Sequence, residues 1–133
     1  MKPTLLIAAT DEDSADYYQR FFADHGYEAE TATDGLDCVG KLRCFLPDVL
    51  VLDLDLLWGG GDGVLAHIRE DPTLPRVPVI LMAPEAYSDV PADLLASPVV
   101  AWLKKPVRLK ALVEQVCEVW TNYGAELAPA ANF

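Results

Sequence analysis

Three short apolar runs in this chain end on residues able to do chemistry. Val49-Leu50-Val51-Leu52 ends on Asp53, with Asp55 two positions on; Val99 to Leu103 ends on Lys104-Lys105; and Leu5-Leu6-Ile7-Ala8 leads into Ala9-Thr10-Asp11. A carboxylate offers a nucleophile, a base or a metal ligand, and a lysine offers the opposite charge. Each of these residues could equally be the first solvated position of a loop. Other spacings fail as sites. Asp53-x-Asp55 does not open a calcium loop, because its fifth position is Leu57. Gly59-Gly60-Gly61 lacks the Gly-Lys-Ser/Thr of a phosphate-binding loop. His25 and His67 have no ligand-spaced partner and read as a last-turn cation and an exposed helix residue. Tyr17 and Tyr18 read as surface and core, since no basic groove accompanies them as a stacking platform would require.

The elements that must position Asp53 and Lys105 follow from hydrophobic period. Continuous apolar runs at 5–8, 49–52, 79–82 and 99–103, with a weaker one from Tyr27 to Ala32, alternate with segments of helical period. That alternation predicts a parallel sheet covered by helices on both faces. Ala15, Tyr18, Phe21, Phe22 and His25 mark the first helix, with Asp13 or Ser14 as N-cap and Gly26 as a left-handed stop. The second runs from about Leu36 to Phe45, burying Val39, Leu42 and Leu46, and is ended by Pro47. The third follows Gly63, and the last runs from Leu109 to Tyr123. Between Ala86 and Ser97 only a short, weakly specified fourth helix is expected, because Pro91 and Pro98 surround just Leu94 and Leu95. Five strands, five helices and right-handed crossovers favour an open α/β sheet of order 2-1-3-4-5. Ligands bind such sheets outside the carboxyl ends of the strands, where the strand order reverses, and Asp11, Asp53, Ala83 and Lys105 would all emerge there.

Composition narrows the class. At 133 residues and 52% hydrophobic content, one domain with its own core is expected, spanning 1–123, followed by a flexible tail over 124–133 in which Phe133 could make a contact. Ten Lys and Arg against 21 Asp and Glu give a formal charge of -11, which repels nucleic acid and anionic membrane alike. Three cysteines without a CxxC pair signal neither a disulfide framework nor a zinc site, and Leu5 to Ala9 is too short for a signal sequence. A soluble cytoplasmic protein is the expectation.

Three motifs in order now carry a resemblance that covers Lys2 to Tyr123. Pro47-Asp48-Val49-Leu50-Val51-Leu52-Asp53-Leu54-Asp55-Leu56 resembles the phosphoacceptor strand of the receiver domains of two-component response regulators, which have the flavodoxin-like fold. Asp62-Gly63 is similar to the pair that opens their third helix, and Trp102-Leu103-Lys104-Lys105-Pro106 to the end of their fifth strand. The resemblance implies that Asp53 accepts a phosphoryl group from a histidine kinase or phosphotransfer protein. It also implies that Lys105 pairs with the phosphoryl oxygens and that Pro106 follows a cis bond.

The same resemblance exposes departures. The family ends its first strand on an acidic pair that holds Mg²⁺, and counting back from His25-Gly26-Tyr27 puts that pair at Ala9 and Thr10. Asp11, Glu12 and Asp13 follow at once. A loop shift could bring Asp11 to a metal, with Asp53 and the backbone carbonyl of Asp55 as its other ligands and the Asp55 side chain turned away; alternatively these acids cap the helix. Only weak Mg²⁺ binding is expected. The family's Thr or Ser on strand four is matched by Ala83, and its switch aromatic on strand five by Trp102, an indole that could simply pack on a helix. The loop after Asp53 is two residues longer than the family's usual form and lacks its proline, and Trp58 within it could cover the site.

Two functional readings follow. One is a single-domain signalling module, impaired in or independent of phosphorylation. It would act on a downstream protein, and in some forms pair with itself, through a face bearing Leu95, Trp102 and Lys104. The alternative is a small phosphohydrolase, because Asp53-Leu54-Asp55 also resembles the nucleophile and acid–base pair of haloacid-dehalogenase-type phosphatases.

Overall fold

The computed structural model describes residues 2–56, 60–84 and 91–127, with side chains to residue 122. Strands β1 (Thr4–Ala8), β2 (Glu28–Ala32), β3 (Val49–Asp53), β4 (Val79–Ala83) and β5 (Val99–Lys104) form one parallel sheet of order β2-β1-β3-β4-β5. Helices α1 (Glu12–Asp24), α2 (Gly35–Phe45), α3 (Gly60–Glu70) and α4 (Leu109–Leu127) cover it. The expected topology is present.

Strand side chains alternate between faces, and because helices lie on both, every position of β3 and β4 is buried. Leu6, Leu50, Leu52, Val79 and Leu81 join Leu42, Leu65 and Ile68 in the core beneath α2 and α3. Leu5, Ile7, Val49, Val51, Ile80 and Met82 join Phe22, Leu112 and Val116 in the core beneath α1 and α4. The central strands are thereby held from both sides, and their carboxyl ends are fixed relative to one another.

Local chemistry explains where the boundaries depart from the sequence expectation. The N-cap of α1 is Asp11, not Asp13 or Ser14: its backbone is extended and its carboxylate accepts from Asp13 N at 3.2 Å and Ser14 Oγ at 2.7 Å. Gly26 does take the left-handed turn after α1, with φ 93°. At the end of α2 it is Leu46 that turns left-handed, with φ 52°, which carries it out of the apolar stripe; it is 60% exposed, while Cys38 and Leu42 are buried. Helix α3 begins at Gly60, three residues before Gly63.

The chain between β4 and β5 holds no helix among its described residues, so four helices stand where five were expected. Residues 91–98 form turns closed by Leu94 N to Pro91 O and Leu95 N to Ala92 O, in keeping with the two prolines that flank them. The Arg69 guanidinium of α3 donates to the carbonyls of Leu94, Ala96 and Ser97, fastening this segment to the body. Helix α4 continues through Leu127, past the expected boundary at 123. Ala125, Glu126 and Leu127 are good helix formers, and intrahelical bonding needs no apolar stripe. Trp58 and Phe133 lie outside the described residues.

Candidate functional site

A cleft of about 490 Å³ opens at the carboxyl ends of β1, β3, β4 and β5, where strand order reverses between β1 and β3. Asp53 forms its floor. As the last residue of β3 it is 6% exposed, and both of its oxygens are engaged. Oδ2 accepts from Lys105 Nζ at 2.7 Å and Oδ1 from the backbone N–H of Asp55 at 2.9 Å. The pairing of β3 with β4 continues past the strand end through Leu54 N to Met82 O. Lys105 follows β5 and is aimed by its own backbone, whose N–H donates to Ala83 O at 2.8 Å, and the Lys105–Pro106 bond is cis as the resemblance implies.

The Asp55 side chain is not turned away. Its Oδ2 lies 3.4 Å from Lys105 Nζ, so one ammonium spans both carboxylates, and this side chain is 58% exposed against 8% for Asp53. The turn that delivers Asp55 depends on Gly61, because a Cβ there would stand 2.7 Å from Asp53 O and 2.8 Å from Leu54 Cα.

The opposite wall belongs to α1. Asp11, Ser14 and Tyr18 face the cleft from that helix, and Ala9 lines it from the end of β1. Asp11 is solvent-exposed, and the Ser14 hydroxyl bond, with help from backbone N–H groups, holds its carboxyl below the usual range. Its two oxygens serve the helix cap, so the capping alternative describes its position. Tyr18, expected in the core, is half-buried between core and cleft, and its burial raises the phenol's pKa. Ala9 is buried and donates its N–H to Ala32 O; Thr10 follows it, half-buried.

A hard divalent cation takes about six oxygen ligands, usually including one or two carboxylates. Among the described residues no group of three or more His, Cys, Asp and Glu side chains is arranged to hold a metal ion. Asp11 accepts two hydrogen bonds within its own cap, and Asp53 and Asp55 share Lys105. Asp11, Asp53 and Asp55 nevertheless line one cleft, and with the Asp55 backbone carbonyl they are the groups that would hold the Mg²⁺ the resemblance implies.

Ala83 is fully buried at the end of β4, and its carbonyl receives the Lys105 N–H. Trp102 packs, half-buried, with Leu94 and Leu95 against the core beneath α2 and α3. Of the expected interaction face, Lys104 alone is exposed, while Leu95 and Trp102 are partly covered. Ser14 and Tyr18 were missed as site residues. Their spacing of four on one helix, starting three residues after Asp11, is the signal that could have found them.

Comparison with known proteins agrees with this architecture. The family model for the response regulator receiver domain matches residues 5–117. Protein Rrf1 of Nitratidesulfovibrio vulgaris is 32% identical over 125 residues, covering 92% of this chain and 88% of that protein. Hybrid signal transduction histidine kinase D of Dictyostelium discoideum is 25% identical over 120 residues, and the chain spans 8% of its length. Among solved structures, the signal receiver domain of a LuxO-type repressor protein from Vibrio parahaemolyticus superposes with a TM-score of 0.84 at 22% identity, covering 95% of each chain. The receiver domain of Francisella response regulator 1452 gives 0.81 at 22% identity, covering 90% of this chain and 98% of that one.

Proposed function

This chain belongs to the response regulator receiver domain family, and from that premise we propose that it is a two-component signalling module whose phosphoacceptor position, Asp53, is impaired. It passes its signal by protein contact. The partners in this reading are a histidine kinase or phosphotransfer protein upstream and a protein target downstream.

The observation that carries the reading is the combination at the cleft. The acceptor carboxylate and its lysine stand paired at 2.7 Å, while Ala9 and Ala83 supply neither acid nor hydroxyl around them. Phosphoryl transfer needs the charge on the equatorial oxygens neutralised, and here one ammonium is the only cation lining the cleft among the described residues. A hydrolase would need further acidic groups beside Asp53 and Asp55, and among the described residues none completes such a cluster.

The test is intact mass after incubation with a small phosphodonor such as acetyl phosphate and millimolar Mg²⁺, with Asp53→Asn as control. Little or no added phosphate is expected. Stoichiometric phosphate that vanishes in Asp53→Asn would overturn the impairment, and steady release of inorganic phosphate dependent on both Asp53 and Asp55 would favour the hydrolase.

A further inference from the structure

Positive charge is unevenly placed in this acidic chain. Lys104, Lys105, Arg108 and Lys110 are four of its ten bases, and no acid occurs from Leu94 through Val113. Lys104, Arg108 and Lys110 are exposed. Local stability does not account for them. Arg108 supplies the carbonyl that accepts the Leu112 N–H, and Lys110 lies in the first turn of α4, which holds no acid. Cations there oppose the positive end of the helix dipole. A charge set against local preference points to a use outside the helix.

A surface of the opposite sign begins beside it. Glu12, Asp13 and Asp16 at the start of α1 are all exposed. Tyr17, on the helix face shared by Asp13 and Asp16, is 58% exposed, one of three large hydrophobic side chains so open to water among the described residues. The two surfaces flank one opening. Asp11, Ser14 and Tyr18 line the cleft from α1, and Pro106 and Val107, which lead into α4, line it from the other side. Both helices pack on the same core, through Phe22 of α1 and Leu112 and Val116 of α4. Among the described residues, neither these three acids nor these three exposed bases have an ion-pair partner within the chain.

We propose that a second copy of this chain docks here, the acidic start of α1 in each copy meeting Lys104, Arg108 and Lys110 of the other. Because the two surfaces lie on either side of the cleft, a two-fold axis over its mouth brings both pairs together at once and closes the cleft. Tyr17 and the exposed Pro106 supply the apolar centre of the contact, with the charges as its rim. The formal charge of -11 on each copy opposes approach, but at physiological salt it is screened beyond about 8 Å, whereas the patches act at contact. This inference goes beyond the phosphoacceptor reading, since it asks nothing of Asp53, and it uses a different surface from the face bearing Leu95 and Trp102.

Sedimentation equilibrium of the full chain, at about 0.15 M salt and up to about 200 µM protein, is the test. The wild type should reach a dimer in that range and dissociate in about 1 M salt, where the screening length falls to about 3 Å. Arg108→Glu with Lys110→Glu sets acid against acid, and Asp13→Lys with Asp16→Lys sets base against base; each pair should weaken the dimer about tenfold or more. Mixing the two variants restores acid against base at both contacts, so a mixed dimer should form at wild-type concentrations. Glutamates at the start of α4 favour that helix, so loss of the dimer in the first variant is not a loss of folding, and this variant decides the matter if the second does not fold.

A wild type that stays monomeric throughout would overturn the proposal. So would a dimer untouched by Arg108→Glu with Lys110→Glu, which would place the pairing on another face. Loss in both variants without recovery on mixing would also overturn it, leaving the basic stretch to an acidic partner protein.

Discussion

Removing Lys105 strands a carboxylate that is almost fully buried, whereas removing the Asp53 charge leaves an ammonium that still has Asp55 and partial access to water. The two halves of the pair are therefore unequal. Lys105→Met should cost about 1–3 kcal/mol of stability and Asp53→Asn distinctly less, read from urea midpoints at neutral pH. The buried Cys38 thiol gives a second residue-scale prediction. Burial, reinforced by Asp37 and Asp34, pushes it up to about 12 from 9.0. The folded state thus holds this proton more tightly than the unfolded chain does. Its contribution is fully present below pH 9 and is lost as pH rises towards 12, at up to about 1.4 kcal/mol per unit. Stability measured across that window should fall less steeply in Cys38→Ala than in the wild type; equal slopes would show that the thiol does not titrate as its burial requires. At this scale Asp53 and Lys105 were legible because Asp53 directly ends one apolar run and Lys105 stands two positions past the end of another. The inward reach of Asp55 was not, since strand alternation carries no information beyond the last strand residue.

Elements meet the cleft through their ends, and the ends were the least legible part of the chain. The N-cap of α1 moved back to Asp11 because three acids and a serine in succession offer several caps, and only geometry selects among them. The start of α3 moved back to Gly60 because no apolar residue marks its first turn. Gly61 lies in that turn, packed against the backbone of Asp53 and Leu54. Gly61→Ala should destabilise the chain by about 1–3 kcal/mol through the displaced turn, where Gly63→Ala, with open space around it, should not. Thermal melts of the two variants separate these cases. The segment before β5 makes a further element-scale case. Arg69 holds the carbonyls of Leu94, Ala96 and Ser97, so Arg69→Gln should speed amide exchange of the turn-forming N–H groups of Leu94, Leu95 and Val99 while sparing β4. Equal protection in the variant would show that the turns, not the arginine, order this stretch.

For the molecule as a whole, strand order and class were readable because short apolar runs at regular intervals admit few topologies, and the order found is the one the crossover rule favours. The crevice then followed from topology alone. What topology could not supply was the state of the crevice, which depends on which acids cap a helix and which reach a lysine. The central claim is the proposal that Asp53 of this receiver domain is impaired as a phosphoacceptor, so that metal and phosphodonor leave the conformation of the chain unchanged. Amide chemical shifts of the isotope-labelled chain, recorded before and after adding Mg²⁺ with acetyl phosphate, test it most directly. The account predicts no concerted change through residues 91–105 or around Asp53. A concerted shift across both regions, absent in Asp53→Asn, would contradict it.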